Sequence, residues 1–155
     1  MKFTGDLREK DFSGRDLANA IFLNADLYRT RFEGADLAGA TLENCFAAEA
    51  SFVRARCLRL RALRSNFYRC TFRGADLTEA LVLDSVLAGA DLRSAKLRRL
   101  TVTLDCNSFE EVQLDRAASA ELAYLFGRVR SPYAARWLDV LGEHERARLE
   151  RLFAR

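Results

Sequence analysis

The residues best suited to chemistry are a set of aspartates at five-residue spacings, four cysteines and one histidine. Paired carboxylates at a fixed separation serve acid–base catalysis and glycoside hydrolysis. Each of these aspartates, however, immediately precedes the same position of a repeat, which is usually large and apolar. We therefore interpret them as acceptors for backbone N–H groups at turns. They are Asp6, Asp11, Asp16, Asp26, Asp36, Asp76 and Asp91.

The cysteines and the histidine lack the spacing of a metal or nucleophile site. Zinc sites draw on closely spaced Cys and His ligands, whereas Cys45, Cys57, Cys70 and Cys106 form no CxxC pair and read as small buried residues. His144 stands between two glutamates, and no P-loop, dinucleotide-binding glycine motif or HExxH is present. We therefore expect no catalytic residue, no metal ligand and no cofactor, and predict that the protein is not an enzyme.

Length and charge indicate one domain, or one domain with an appendage. The chain has 155 residues and a net charge of +3, too balanced to predict nucleic-acid or membrane binding from bulk electrostatics. Residues 1–10 contain no apolar run typical of a signal peptide, and no stretch approaches membrane-spanning length. We expect a cytoplasmic protein that does not bind a membrane.

A five-residue repeat over residues 5–104 must position these groups. Its middle position is Leu or Phe in fifteen of twenty units and Val in two, and the residue two positions earlier is usually small, most often Ala. A period of five matches neither an α-helix, at 3.6, nor a β-strand, at 2. It indicates stacked units that bury their apolar residues against one another.

Several units resemble the A(D/N)LXX unit of the pentapeptide-repeat family, among them residues 25–29 (ADLYR), 75–79 (ADLTE) and 90–94 (ADLRS). The resemblance implies an all-β solenoid: a right-handed quadrilateral β-helix with four units per coil and about five coils. Side chains twenty residues apart should then stack in columns. One column should be aromatic, and its members are Phe12, Phe32, Phe52 and Phe72.

The first coil departs from this pattern. Lys10 and Arg15 occupy positions that should be small and inward, and burying an unpaired cation is costly. We therefore expect a splayed first coil, with both side chains reaching out of its open end.

The last fifty residues have helical patterns instead of the repeat. We divide the chain into a β-helix, 1–104, and an α-helical cap or dimerisation segment, 105–155. Asp115 is a plausible helix N-cap, and a solenoid needs a cap because its last coil exposes an apolar interior. The candidate residues for capping or dimerisation are Leu125, Phe126, Trp137 and Leu141.

The arginine-rich third coil offers one candidate surface. Column alignment pairs most of its arginines with carboxylates of adjacent coils, which favours a solvated surface of ion pairs. Arg54, Arg61 and Arg73 lack such a neighbour and form a candidate basic patch. If they share a surface, they could bind nucleic acid or another anion.

Apolar residues at outward positions offer a second candidate surface. The fourth side of the coil, which flanks Phe22, Leu42 and Ala62, carries Ile21, Leu23, Leu63, Leu81 and Leu83. The adjoining corner carries Tyr28, Phe46, Tyr68 and Val86. An apolar patch of this kind is covered by the C-terminal segment of the same chain, by a second copy in a homodimer, or by another protein.

We therefore predict a non-catalytic protein-interaction scaffold. The resemblance implies a type II topoisomerase, DNA gyrase, as the most specific partner, since some family members bind it as acidic rods similar to DNA. The net charge of +3 departs from that acidic pattern. Nucleic-acid or anion binding through the third coil, and a purely structural or assembly role through the fourth side, remain the alternatives.

Overall fold

The computed structural model describes residues 1–102, 111–127 and 147, and its centre is a stack of parallel coils. Successive strands pair in parallel in the order β1-β2-β3-β4-β5-β6. The elements are β1 (Lys2–Asp6), β2 (Ile21–Asp26), β3 (Thr41–Glu43), β4 (Arg61–Leu63), β5 (Leu81–Leu83), β6 (Thr101–Val102) and α1 (Arg116–Gly127).

The coils repeat every twenty residues, as the sequence predicts. Ile21 pairs with Thr41, and Thr41 pairs with Arg61. Isolated bridges with the same offset, such as Asp11 to Arg31 and Asp26 to Phe46, connect the coils on the other sides. The result is the predicted β-solenoid of about five coils. We number the coils 5–24, 25–44, 45–64, 65–84 and 85–104.

The interior is a set of side-chain columns, and the aromatic column is confirmed. Ring centroids lie 5.4 Å apart between Phe12 and Phe32, 5.0 Å between Phe32 and Phe52, and 4.8 Å between Phe52 and Phe72. Each pair of rings is nearly parallel, with interplanar angles of 9 to 11°. Phe32 and Phe52 are fully buried, so the column is part of the close-packed core.

Small polar residues replace Ala inside the core because each has a hydrogen-bond acceptor, the carbonyl of the residue 23 positions earlier. Thr30 Oγ1 donates to the carbonyl of Leu7 at 2.9 Å. Ser65 Oγ lies 3.3 Å from the carbonyl of Leu42, and the Cys70 thiol donates to that of Ala47 at 2.7 Å. These bonds offset the cost of burying a polar group. The interpretation of the cysteines as small buried residues is confirmed for Cys45, Cys57 and Cys70, whereas Cys106 lies outside the described residues.

The repeated aspartates serve the turns, as predicted. In each turn a carboxylate oxygen accepts the backbone N–H two residues later, at 2.9 Å from Asp36 to Ala38 and 3.1 Å from Asp91 to Arg93. The last position of the unit then adopts a left-handed conformation, with φ of 60° at Ser94, which ends the unit that contains Asp91. This conformation is uncommon outside glycine, and the carboxylate helps to hold the corner that requires it.

The expectation of a splayed first coil is wrong for its backbone. The carbonyl of Lys10 accepts the Arg31 N–H at 2.9 Å, and that of Arg15 accepts the Asp36 N–H at 2.9 Å. Lys10 and Arg15 are exposed, as predicted, and Arg15 lies over the Phe12 ring at 5.7 Å. The open end of the solenoid lets both cations reach water, so the coil does not have to open.

The ladder extends past residue 104. Gln113 bridges Asp91 and accepts the Leu92 N–H at 2.9 Å. The offset between these two residues is twenty-two instead of the usual twenty. The chain therefore contains two more residues between positions 102 and 113 than a regular coil would. Because the strict period fails there, the sequence pattern ends earlier than the ladder. The boundary between 1–104 and 105–155 stays a prediction.

Helix α1 packs on the end of the solenoid. Asp115 is its N-cap, as predicted, and accepts the Ala118 N–H at 2.9 Å. Ala118 and Leu122 are buried in the same apolar cluster as the coils, and the Glu121 carboxylate accepts the Leu97 N–H. The first turns of α1 therefore cap the last coil. Leu125 and Phe126 belong to α1, but their side chains lie outside the described residues, as do Trp137 and Leu141.

The aromatic column predicts a large loss of stability for Phe52→Ala. Removing a buried Phe costs about 3–5 kcal/mol, because a cavity remains where the ring was. Phe46→Ala removes the same atoms from a side chain that is 46% exposed and should cost less than about 1 kcal/mol. Urea unfolding of both variants measures the difference. Equal losses would contradict the column.

The turn carboxylates predict a loss of stability in acid. The Ala38 N–H, with help from Arg56, lowers the pKa of Asp36, and the Ala118 N–H lowers that of Asp115. A carboxyl whose folded pKa is depressed stabilises the fold above its unfolded pKa, and this contribution is lost as the pH falls through the folded pKa. The free energy of unfolding should therefore decrease below about pH 4.

Asp36→Asn provides the matched variant for this experiment. Asn66 already accepts the Tyr68 N–H at 2.8 Å in an equivalent turn, so an amide can keep the hydrogen bond without titrating. Urea unfolding of Asp36→Asn between pH 2 and pH 7 should show a weaker pH dependence than the wild type. An unchanged pH dependence would contradict the role assigned to this carboxylate.

Candidate functional site

The buried thiols and the internal cavity of the described residues are poorly suited to catalysis. No group of three or more His, Cys, Asp or Glu side chains among the described residues could hold a metal ion. Burial raises the pKa of the Cys45, Cys57 and Cys70 thiols, which suppresses the reactive thiolate. An internal cavity of about 10 Å³ beside Ala62 has an apolar lining, so it offers a substrate neither space nor a polar contact.

The predicted basic patch does not form one surface. Arg54 and Arg73 lie in adjacent coils on the side built around Phe52 and Phe72, and the Arg54 N–H donates to the Arg73 carbonyl at 2.9 Å. Arg61 lies in β4, two sides further around the coil. Arg73 also has a carboxylate that the columns did not predict, since its Nε is 3.9 Å from Asp91. The shared, acid-free surface that anion binding requires is therefore absent for these three residues.

Most other arginines of the third coil pair with carboxylates, largely as the columns predict. Arg56 contacts Asp36 at 2.7 Å, and Arg59 contacts Glu79 at 2.8 Å. Arg64 contacts Glu43, a diagonal neighbour in the preceding coil. Long arginine side chains reach such diagonal positions, which a strict column argument omits.

The corner residues Tyr28, Phe46, Tyr68 and Val86 lie together on one side of the solenoid, which we call the aromatic side. Phe46 is 46% exposed, Tyr68 38% and Val86 36%. The ring centroids of Tyr28 and Phe46 are 6.2 Å apart, and Phe46, Asn66 and Val86 follow one another in a single column. These side chains form an apolar strip along hydrogen-bonded coils, interrupted by Asn66 between Phe46 and Val86.

Arg29 and Arg69 belong to the same surface, although the sequence did not mark them as site residues. The Arg29 guanidinium lies over the Tyr28 ring at 4.9 Å, and that of Arg69 lies over Tyr68 at 5.1 Å. Arg29 also contacts Glu49 at 2.8 Å. The sequence signal that could have identified them is the alternation of charge at intervals of twenty residues, from Glu9 and Arg29 to Glu49 and Arg69.

The fourth side carries its apolar residues as predicted, but they are less exposed than the aromatic side. Ile21 is 44% exposed, whereas Leu23, Leu63, Leu81 and Leu83 are half-buried. Thr41, Glu43 and Arg61 interrupt them in the middle of the sheet. The prediction that the C-terminal segment, a second copy or another protein covers these leucines stays a prediction, because residues 128–146 are outside the described part of the chain. None of the described helices is long and apolar enough to span a membrane.

Comparison with known proteins identifies the family. The sequence pattern described as Pentapeptide repeats matches residues 5–34, 30–60 and 65–99, in eight copies. The chain belongs to the pentapeptide-repeat family. No match was found among curated proteins.

Solved structures of other pentapeptide-repeat proteins are similar at low identity. The protein Rfr23 from the cyanobacterium Cyanothece 51142 is 19% identical, with 74% of this chain and 84% of that chain covered and a TM-score of 0.49. Trypsin-treated QnrB1, a plasmid-mediated fluoroquinolone resistance protein, is 19% identical, with 81% and 88% covered and a TM-score of 0.47. A protein of the Arabidopsis thaliana thylakoid lumen is 24% identical, with 77% and 75% covered and a TM-score of 0.34.

The ion-paired surface predicts no salt-sensitive binding to DNA. Affinity for DNA through free arginines falls steeply with salt, because bound phosphates release counterions. With Arg56, Arg59 and Arg64 of the third coil paired with carboxylates, the protein should not shift a short duplex in a gel at about 0.15 M salt. A shift that disappears when Arg54, Arg61 and Arg73 are all replaced by Ala would contradict this prediction.

Proposed function

We propose that this pentapeptide-repeat protein is a non-catalytic interaction scaffold and that the aromatic side is its main contact surface for another protein. The exposure of Phe46, Tyr68 and Val86 along one strip of a rigid solenoid is the observation that carries this proposal. Aromatic residues are enriched at the energetic centres of protein interfaces.

The solenoid suits recognition because it presents this strip without reorganisation. The N–H groups of Arg29, Glu49 and Arg69 already donate to the next coil at 2.8 to 3.1 Å, so a partner does not have to order this backbone. The strip has few ways to rearrange, since it stands on buried side chains such as Phe67. Pre-organised surfaces of this kind lose little conformational entropy on binding.

A type II topoisomerase, DNA gyrase, is the specific candidate partner, and it rests on the family resemblance alone. Imitation of DNA needs an acidic rod, whereas this chain has a net charge of +3. The carboxylates that could imitate phosphates are also already neutralised by ion pairs, as in Glu49 with Arg29, Asp36 with Arg56 and Glu79 with Arg59. We therefore expect contact through the aromatic side in place of phosphate mimicry.

The test measures binding of purified gyrase and its supercoiling activity, with and without a quinolone. The double variant Phe46→Glu and Tyr68→Glu should lower the affinity at least about tenfold, because it places two charges in the apolar contact. The control Val53→Glu and Leu58→Glu adds the same charge at half-buried positions on two other sides and should bind like the wild type.

Two results would count against this proposal. Absence of binding, inhibition and protection by the wild type would remove gyrase as the partner. If both double variants instead lost affinity equally, the aromatic side would not be the contact surface.

A further inference from the structure

The edge of the aromatic side carries a column of alternating charge. The Glu9 N–H donates to the Tyr28 carbonyl at 2.9 Å, and the Arg29 N–H donates to the Ala48 carbonyl at 3.1 Å. The Glu49 N–H donates in the same way to Tyr68, at 2.8 Å. Glu9, Arg29, Glu49 and Arg69 therefore stand in successive coils, about 4.8 Å apart, and their charges alternate in sign.

An alternating column complements a second copy of itself when the two solenoids run antiparallel. A two-fold axis that lies in the contact plane, perpendicular to the long axis of the solenoid, places this edge of one copy against the same edge of the other. If the axis passes through a coil, like charges meet, as when Glu49 faces Glu49. If it passes between two coils, opposite charges meet next to the axis; between coils 3 and 4 these are Glu49 and Arg69, and Arg29 meets Gly89.

The apolar residues select one of these antiparallel arrangements. An axis between coils 3 and 4 places Glu49 of each copy opposite Arg69 of the other. It also places Tyr28 opposite Ala88 and Tyr68 opposite Ala48, so each tyrosine faces a small residue. An axis between coils 2 and 3 leaves coil 5, and with it the exposed Val86, outside the contact. The axis between coils 3 and 4 includes Val86, opposite Asp26, and places Phe46 opposite Asn66.

A parallel arrangement is less favourable because it brings different edges together. The opposite edge of the aromatic side contains Asn44 and Arg64, and Arg64 Nε donates to the Asn44 side-chain oxygen at 3.0 Å. With both solenoids parallel, Arg69 of one copy faces Arg64 of the other, which is a like-charge contact.

We propose that the aromatic side binds a second copy of this chain in an antiparallel two-fold dimer, with Glu49 of each copy opposite Arg69 of the other. The inference rests on the proposed function, because it uses the same contact surface. A dimer formed there has to dissociate before the surface binds another protein. The apolar strip supplies the affinity and the charged edge selects the arrangement, since exposed ion pairs themselves contribute little.

The dimer should be weak, because its contact is small. Four coils at about 4.8 Å span roughly 19 Å, and five extended residues span roughly 16 Å across the side. The resulting patch of roughly 300 Å² on each copy is well below the roughly 800 Å² per partner of a standard interface. We therefore expect dissociation in the micromolar range or above, with dimer appearing as the concentration rises.

Charge reversal tests the arrangement by sedimentation velocity on the full chain. Glu49→Arg alone places arginines opposite arginines, and Arg69→Glu alone places glutamates opposite glutamates, so each variant should be monomeric. An equimolar mixture should restore the dimer, because the arginine introduced at position 49 of one variant then faces the glutamate introduced at position 69 of the other. In the same mixed dimer, the native Arg69 faces the native Glu49. Rescue on mixing is an intermolecular effect that a folding defect cannot produce.

The Arg59–Glu79 ion pair, 2.8 Å long and on another corner, provides the matched control. Arg59→Glu and Glu79→Arg change the same charges and should each self-associate like the wild type. Circular dichroism and urea unfolding check that all four variants fold.

Three results would overturn the proposal. A wild type that stays monomeric up to about 1 mM, well above the range expected for a weak dimer, would show that the surface is covered within the chain or serves another protein. A dimer unaffected by Glu49→Arg and Arg69→Glu would use a different surface. Monomeric variants that fail to recover on mixing would exclude this arrangement. Gyrase binding lost specifically in the Phe46 and Tyr68 double variant would still support the proposed function if the wild type were monomeric.

Discussion

The hydrogen-bond ladder between successive coils is the constraint on which the rest of the structure depends. Each coil donates to the next at nearly constant distances, as at Phe32 to Ser51 and Phe52 to Thr71, both 2.7 Å. A shift by one residue would turn inward side chains outward and break the turns, so the twenty-residue register is strongly specified. Both the aromatic core and the charged columns outside it follow from this one register.

Inside the solenoid, the register makes vertical neighbours of residues that are distant in sequence. Large side chains such as Phe52 are enclosed above and below by their equivalents, and small positions accept a polar atom only where a carbonyl lies within reach, as at Thr30. The first coil shows the limit of this rule. Lys10 and Arg15 are tolerated at these positions because both side chains are exposed and water reaches their charges.

On the outside of the solenoid, the same register brings charged and apolar residues from different coils next to one another. It neutralises the arginine-rich third coil by bringing carboxylates of adjacent coils beside Arg56 and Arg59, which weakens the case for nucleic-acid binding. It also assembles Tyr28, Phe46, Tyr68 and Val86 into one exposed strip with a charged edge. The proposed contact surface therefore combines features that no single repeat unit contains.

The sequence by itself determined the stacking of five-residue units and the turn role of the aspartates, because a strict period places equivalent residues in equivalent positions. Its resemblance to the pentapeptide-repeat family implied the four-sided coil and hence the aromatic column. Only the tertiary structure decided how side chains meet outside the strict columns. It paired Arg73 with Asp91, separated Arg61 from Arg54, and continued the ladder to Gln113 through an offset of twenty-two. Arg29 and Arg69 became site residues for the same reason, since their stacking on Tyr28 and Tyr68 depends on left-handed corners, with φ of 55° and 53°. Periodicity specifies which coil and column a residue occupies, whereas the reach of a long side chain depends on three-dimensional packing.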